Sequence, residues 1–297
     1  MPATEAETEA EVESEKAPAA PEGVRPPLEL LSWFERFAFR MARFTNGSAY
    51  RVMLAWQAFF LFPFLWLFLG RRLIVRGEER LASLPPEASF LLVANHRSFF
   101  DLFVLNWIFV GRRGLRHRVS FPVRSNFFYE NPIGLFFNLF FSGGSMYPPI
   151  FRSAEKRAFN QHAVQIMLGR LREPRNMIGF HPEGTRGKGP DPYEMLRPQP
   201  GAGKLVLEAR PLVVPAFVSG LSNSLWKEMV SNFKKERPAV VIFGAPITPE
   251  RWPEGSRLTL QLKVAEQLLE AIRALQPEEK ALRLELAEAA AQRKREG

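Results

Sequence analysis

The sequence of 297 residues contains no cysteine. This absence excludes disulfides, thiolate metal ligands and a cysteine nucleophile. The sequence also has no G-x-S-x-G segment of the kind that presents a nucleophilic serine. Histidine is scarce, with four residues in the chain, and tyrosine is equally rare. Phenylalanine, by contrast, occurs 27 times, which is more than a water-facing surface accommodates, so part of it is expected to meet lipid or an acyl chain.

The net charge of +9 is unevenly distributed. Seven glutamates against Lys16 and Arg25 give residues 1–27 a charge of −5, which leaves +14 on the remainder. We predict a disordered acidic tail over 1–27, and its lack of a basic segment followed by an apolar one argues against a signal peptide. A basic body suits an anionic membrane or a phosphate-bearing substrate. No basic-aromatic nucleic-acid motif is present, so nucleic acid is not an expected partner.

Residues 28–72 are predicted to form a pair of membrane-anchoring helices. In the first, apolar residues recur at helical spacing from Leu30 to Phe44, opposite arginines, which is typical of an interfacial helix; packing on the domain is the alternative. The second, Val52 to Gly70, has no charge and would reach about 28 Å as a straight helix. Gln57 and Pro63 weaken a full crossing, so a kinked single-leaflet segment, a true span and a buried soluble helix all stay open.

Residues 73–250 are predicted to form one α/β domain with a mostly parallel central sheet flanked by helices, because short unbroken apolar runs alternate with helical patterns. The predicted strands are Leu73–Arg76, Phe90–Ala94, Val119–Val123, Met177–Phe180, Leu212–Val218 and Ala239–Phe243. Helices are predicted at Phe100–Val110 and Glu155–Leu171. Residues 251–297 are predicted to form C-terminal helices, broken near Pro277, and a charged tail.

The segment "NHRSFFD" follows the second predicted strand. Ser98 and Asp101 have the spacing of a capping box, which predicts a helix start at Ser98. On a continuous helix His96 and Asp101 would face different directions, so they can meet only if His96 lies in the turn before the helix. A carboxylate on one imidazole nitrogen would leave the other nitrogen free to accept a proton.

The same segment resembles the His-x4-Asp motif of the glycerolipid acyltransferases typified by lysophosphatidic acid acyltransferase. Three further blocks are similar to those of the family and follow in its order. They are "GGSMYPPIFR" (143–152), "FHPEGTRG" (180–187) and "LVVPAFVSG" (212–220). The resemblance extends over about residues 73–250.

This resemblance implies transfer of a fatty acyl group from acyl-CoA or acyl carrier protein to a glycerolipid hydroxyl, with lysophosphatidic acid as the first candidate acceptor. His96 would be the general base and Asp101 its orienting partner. The resemblance and the blocks' chemistry place seven further residues at the substrate: Asn95, Ser98, Arg152, Glu183, Gly184, Thr185 and Arg186. Arginine suits phosphate, glycine lets backbone amides approach an anion, and Glu183 would hold Arg186 or the loop. No metal and no cofactor beyond the acyl donor is expected.

Two residues near these blocks have other interpretations. His181 occupies a place where the family usually has an aromatic or aliphatic residue; we interpret it as a structural histidine, with a second titrating group as the alternative. Arg124 is interpreted first as a solvated surface arginine, with membership of the same positive pocket as the alternative. The alternatives for function are another acceptor (glycerol 3-phosphate, a different lysophospholipid or an acylated amino acid) and an inactive lipid-binding relative. The expected location is the cytoplasmic side of the inner membrane or an equivalent membrane.

Overall fold

A computed structural model describes residues 25–296 of the chain, and the predicted acidic tail falls almost entirely outside them. A six-stranded sheet forms the centre of the molecule, in the order β1-β8-β7-β2-β6-β3. All neighbouring strands in it are parallel except β7 and β8. The strands are β1 (Leu73–Arg76), β2 (Phe90–Ala94), β3 (Arg118–Ser120), β4 (Val123–Arg124), β5 (Pro149–Ile150), β6 (Asn176–Phe180), β7 (Leu212–Ser219) and β8 (Ala239–Phe243). The predicted α/β fold with a mostly parallel sheet is confirmed.

Helices cover both faces of this sheet. They are α1 (Trp33–Asn46), α2 (Tyr50–Phe59), α3 (Leu61–Leu65), α4 (Asp101–Asn106), α5 (Ser125–Phe128), α6 (Pro132–Phe136), α7 (Arg157–Arg172), α8 (Pro200–Ala209), α9 (Leu225–Lys234), α10 (Leu258–Arg273) and α11 (Gln276–Glu296). Three π-helical turns extend α3, α4 and α6, at Trp66–Gly70, Trp107–Arg112 and Phe137–Phe141.

Strand β2 shows why polar residues do not alternate with apolar ones in the predicted strands. Its side chains point alternately to the two faces, and both faces are covered. Leu91 and Val93 pack with α7, α8 and α10 in one hydrophobic cluster. Phe90, Leu92 and Ala94 belong to the other cluster, which contains α1, α3 and α4. All five side chains are buried, as a continuous apolar run requires.

The predicted strand Val119–Val123 is wrong as a single element. The main-sheet strand β3 ends at Ser120, and Val123 pairs with Pro149 in a separate two-stranded ladder formed by β4 and β5. Pro122 stands between the two strands. Because proline cannot donate a ladder hydrogen bond and restricts the residue before it, the chain leaves the sheet at this point.

The predicted N-terminal pair of helices lies against the domain. Helix α1 buries Ala38, Phe39 and Ala42 and leaves the predicted apolar positions Phe37 and Phe44 about half exposed. It therefore has a packed face beside an exposed aromatic one.

The second predicted helix runs from Tyr50 to Gly70, long and apolar enough to cross a membrane by length and composition, with 28% of its most apolar window buried. It is interrupted at Phe60, where Pro63 cannot supply the next helical hydrogen bond. Gln57 is buried and donates to the Ser142 carbonyl, and it accepts from Asn106 at 3.0 Å. The polar residue that weakens a membrane span thus attaches the helix to the domain.

A buried ion pair joins the end of this segment to helix α9. Arg72 and Glu228 contact each other with side chains that are 1% exposed. Burial lowers the pKa of Arg72 to about 10, and Glu228 also accepts from the Ser222 amide at 2.7 Å. At the other end of the chain, α10 and α11 meet near Leu275, close to the predicted break, and the first turn of α11 contains the buried residue Glu279.

We expect Glu228→Ala to lower the free energy of unfolding by about 3–5 kcal/mol, because it leaves the Arg72 guanidinium buried without its counter-charge. The matched control is Glu78→Ala, which removes the partner of Arg112 from a more exposed pair with a 3.5 Å separation and should cost about 0–1 kcal/mol. Urea unfolding followed by tryptophan fluorescence measures both. Equal losses in the two variants would contradict the prediction.

Candidate active site

The turn between β2 and α4 is organised around one carboxylate oxygen. Asp101 Oδ2 accepts the backbone amides of Arg97 and Ser98, each at 2.8 Å, and lies 3.1 Å from Nδ1 of His96. Asp101 is the first residue of α4, so its negative charge also meets the positive end of the helix. His96 lies in the preceding turn, as the predicted contact requires.

These contacts fix the proton arrangement on His96. Asp101 Oδ2 is an acceptor toward both amides, so it accepts the Nδ1 proton of His96 as well, and Nε2 of the imidazole carries the lone pair. Burial raises the pKa of Asp101 to about 6, against the lowering effects of His181 and the turn amides. Burial, Arg186 and Arg124 lower the pKa of His96 to about 3. At neutral pH the pair therefore consists of a carboxylate and a neutral imidazole.

The predicted helix start at Ser98 is wrong by two to three residues. Helix α4 begins at Asp101, and the Ser98 hydroxyl accepts from the Phe100 amide at 3.1 Å instead of capping the Asp101 amide. The same hydroxyl donates to the Ser222 carbonyl at 2.9 Å. A tertiary partner that is 124 residues distant competes for this side chain, and the capping box is only half formed.

His181 stacks on His96. The two rings are 3.9 Å apart and within 6° of parallel. His181 Nδ1 donates to the Ala94 carbonyl at 2.9 Å, because a carbonyl can only accept, and Nε2 is buried without a hydrogen-bond partner among the described residues. Burial, followed by the nearby His96, lowers the pKa of His181 to about 3. His181 is therefore a neutral, flat platform beneath the His96 ring.

His96, Asp101 and His181 bring three possible metal-ligand atoms within 4.8 Å of one another. An imidazole binds a metal ion in the plane of its ring. The parallel, stacked planes of His96 and His181 do not direct both lone pairs toward one ion. This arrangement suits proton transfer better than metal chelation.

The side chains of two residues predicted at the substrate form hydrogen bonds with backbone groups instead. The Asn95 amide exchanges hydrogen bonds of 2.8 and 2.7 Å with the backbone of Val218 and so ties β2 to β7. Glu183 is buried; its carboxylate accepts the His96 amide at 2.8 Å and the Leu196 amide at 2.7 Å. Glu183 has no hydrogen bond to Arg186 within residues 25–296, so of its two predicted roles the geometry matches the one that holds the loop.

A cavity of about 530 Å³ opens beside His96. The cationic side chains of its lining are Arg124, Arg152, Arg186 and Lys188, and the other polar ones are His96, Asn126, His181 and Thr185. Gly184, also at its edge, has φ of +64°, and its carbonyl accepts from Arg124 at 2.8 Å. Among the described residues, Arg124, Arg152 and Arg186 form no ion pair with a carboxylate, so their charges face the cavity.

A second, apolar cleft of about 460 Å³ adjoins the first. It is lined by Leu61, Phe64, Leu65, Phe99, Phe100, Phe103, Phe127, Phe137, Phe141, Arg186, Asn223 and Leu225. Phe99, Phe103, Phe127 and Arg186 line both spaces. The predicted apolar helix and the aromatic run Ile133 to Gly144 thus supply walls of a cleft that begins at the basic cavity.

Some residues of the site were not found from the sequence. For Arg124 the alternative interpretation, a place in the positive pocket, matches the cavity that it lines. Asn223 was not predicted; it accepts from Arg186 at 2.9 Å and from the Phe99 amide at 2.8 Å. Asn223 lies 124 residues from Phe99 with no local pattern to mark it. The stacking of His181 also had no signal beyond an unusual residue type in its block.

Comparison with known proteins places the region that contains this site in a family. A sequence model described as Acyltransferase matches residues 72–219, which contain every predicted site residue. The chain belongs to the acyltransferase family. Among solved structures it is similar to the 1-acyl-sn-glycerophosphate (LPA) acyltransferase PlsC from Thermotoga maritima, with 19% identity over 76% of this chain and 79% of that one and a TM-score of 0.47. No curated protein matches the sequence significantly. The acyltransferase region ends at the carboxyl end of β7, so α9 and the C-terminal helices lie outside it.

We expect Glu183→Ala to lower the free energy of unfolding by about 1–3 kcal/mol for each of the two backbone amides that it leaves without an acceptor. Glu194→Ala, an exposed substitution in the neighbouring loop, is the control and should stay within about 0.5 kcal/mol. Chemical denaturation of both variants tests this. A Glu183→Ala protein as stable as the control would show that the carboxylate does not hold the loop.

Proposed function

We propose that the protein transfers a fatty acyl group from acyl-CoA or acyl carrier protein to the hydroxyl of a phosphate-bearing lysolipid, with lysophosphatidic acid as the first candidate. The observation that carries this proposal is the position of His96. It lies at a cavity lined by arginines that have no carboxylate partner among residues 25–296, and that cavity continues into an aromatic cleft. A lysophospholipid has the matching parts: an anionic head group, a hydroxyl and an apolar chain.

In the proposed mechanism the acceptor hydroxyl gives its proton to Nε2 of His96 as its oxygen attacks the thioester carbonyl. Asp101, already bonded to Nδ1, stabilises the imidazolium that forms. The tetrahedral intermediate then collapses and breaks the carbon–sulfur bond. The leaving thiolate takes the proton from His96 and departs as a thiol, so the enzyme returns to its starting state without a covalent intermediate.

Arg124, Arg152 and Arg186 are proposed to bind the acceptor phosphate, because guanidinium groups match phosphate oxygens and these three have no carboxylate partner in the described part of the chain. Gly184 and Thr185 border the same space. Asn95, Ser98 and Glu183 are proposed to act indirectly, through the strands and loops that their hydrogen bonds hold. A panel of lysolipids and glycerol 3-phosphate, each with labelled acyl-CoA or acyl carrier protein, identifies the acceptor and the donor.

We expect His96→Ala to lower kcat by roughly 10²–10⁴-fold, the usual contribution of a positioned base. The matched control is His162→Ala, because His162 lies on α7 and borders a different cavity, and its removal should leave kcat unchanged. Single-turnover assays with labelled acyl-CoA measure both. Comparable rates for His96→Ala and wild type would refute the proposed base.

The protein is further proposed to sit on the cytoplasmic face of an anionic membrane. Exposed aromatic residues occur on α1, on the apolar helix and on α9, including Trp33, Phe59, Trp66 and Trp226, which are 57–79% exposed. Helix α9 also carries Lys227 and Lys234. It is joined to the apolar helix by Asn232, which donates to the Leu67 carbonyl at 2.7 Å. Aromatic side chains accompanied by lysines are typical of an interfacial surface.

Replacing Trp66 and Trp226 by glutamate should weaken binding to phosphatidylglycerol-containing vesicles by roughly tenfold or more, because each indole loses its apolar burial and gains repulsion. Leu284→Glu is the control: it removes an exposed apolar side chain on α11 and should leave vesicle binding within about twofold of wild type. Co-sedimentation with vesicles measures the three proteins. Unchanged partition of the double variant would place the membrane contact elsewhere.

A further inference from the structure

The basic cavity does more than offer charges to an anion, because two of its arginines face the group proposed as the base. Arg124 and Arg186 line the same cavity as His96, and in residues 25–296 neither has a carboxylate partner. Their hydrogen bonds go instead to neutral oxygens, those of the Gly184 carbonyl and the Asn223 side chain. The imidazole therefore faces two uncompensated positive charges whenever the cavity holds no anion.

We propose that an anionic group bound between Arg124 and Arg186 switches His96 from a weak base to an effective one. The acceptor's phosphate then activates the reaction in addition to contributing to binding. This inference rests on the proposed function for its biological meaning, but the coupling between anion and imidazole is a property of the cavity alone.

The electrostatic argument follows from the charges around His96. A positive charge nearby disfavours the imidazolium, and an anion that neutralises it removes that effect. Burial is the largest cause of the low pKa of His96, with Arg186 second and Arg124 third. A phosphate that occupies the cavity neutralises both arginine effects, while the burial imposed by the protein itself remains. Occupation of the cavity therefore raises the pKa of His96 toward its ordinary range.

The other charged and titratable groups near His96 do not remove the coupling between a bound anion and the pKa of His96. They are Asp101 at the start of α4, His181 and Glu183 after β6, Lys188 in the same loop, Arg97 beside His96, and Arg152 after β5. His181 stays neutral because of its burial, and Asp101 is already bonded to His96 in the anion-free state. Arg152 lines the cavity but is not among the causes of the lowered pKa of His96.

The consequence is selection against a wasteful reaction. Water could accept the acyl group from a bound thioester if His96 were always an effective base. With an anion-dependent base, hydrolysis stays slow until a phosphate-bearing acceptor occupies the cavity. Coupling is reciprocal, so the anion also binds more tightly when His96 is protonated.

The test is a histidine NMR titration of the full chain in micelles, with sulfate as the probe because it keeps its charge throughout the titration. Four histidines give few signals, and His96→Ala identifies the one of interest. With sulfate at saturation, and chloride at equal ionic strength as reference, we expect the proton affinity of His96 to rise by about tenfold or more. An unchanged titration curve at saturating sulfate overturns the proposal.

Three variants separate the switch from simple binding. Arg186→Gln and Arg124→Gln should each raise the proton affinity of His96 without sulfate and reduce the response to sulfate. Arg152→Gln is the matched control: it should weaken sulfate binding and leave the sulfate-free proton affinity unchanged. A fall in proton affinity in Arg186→Gln, or the same rise in all three variants, contradicts the assignment.

Acyl-CoA hydrolysis provides the functional readout. Sulfate should increase wild-type hydrolysis relative to chloride, and Arg186→Gln should hydrolyse acyl-CoA faster than wild type when no anion is present. If the NMR response occurs but no lysolipid or glycerol 3-phosphate accepts an acyl group, the proposed function fails and the switch stands. If acyl transfer occurs while His96 does not respond to sulfate, the switch fails alone.

Discussion

One carboxylate oxygen in a tight turn determines the geometry of the whole candidate site. Asp101 Oδ2 accepts two consecutive backbone amides and the Nδ1 proton of His96, so it shapes the turn and orients the imidazole at the same time. Because the turn follows β2 in the middle of a parallel sheet, the neighbouring strands β6 and β7 end at the same edge. The loop after β6 then supplies His181, Glu183 and Arg186, and the segment after β7 supplies Asn223.

Glu183 connects the loop after β6 to the turn after β2. Its side chain crosses from the loop after β6 to the backbone of His96, and the Gly187 amide donates to the His96 carbonyl at 2.9 Å. The turn that carries His96 is thus held by Asp101 from within and by a neighbouring loop from outside. These contacts leave the backbone of His96 little freedom to move beside the arginines of the cavity.

Much of this arrangement could be predicted from the sequence, and the failures have physical reasons. The apolar strands and the His96–Asp101 contact follow from local patterns, and the acyltransferase model that matches residues 72–219 supports the family that the four blocks indicate. The structure departed from expectation where a long-range partner decided the outcome. The Ser98 hydroxyl donates to the Ser222 carbonyl, and the Gln57 side chain forms hydrogen bonds with Ser142 and Asn106. No local rule describes such partners, because they exist only after the chain has folded.

The apolar helix from Tyr50 to Gly70 has a practical consequence for work with this protein. Its residues Leu61 and Leu65 form part of the wall of the apolar cleft, and Arg72, just after it, is the partner of the buried Glu228. Removing this helix together with Arg72 would expose the apolar cleft to water and leave the Glu228 carboxylate buried without its partner. The full chain, prepared in detergent or a nanodisc, is therefore the appropriate starting material for biochemistry, since the apolar helix and the α/β domain share one core.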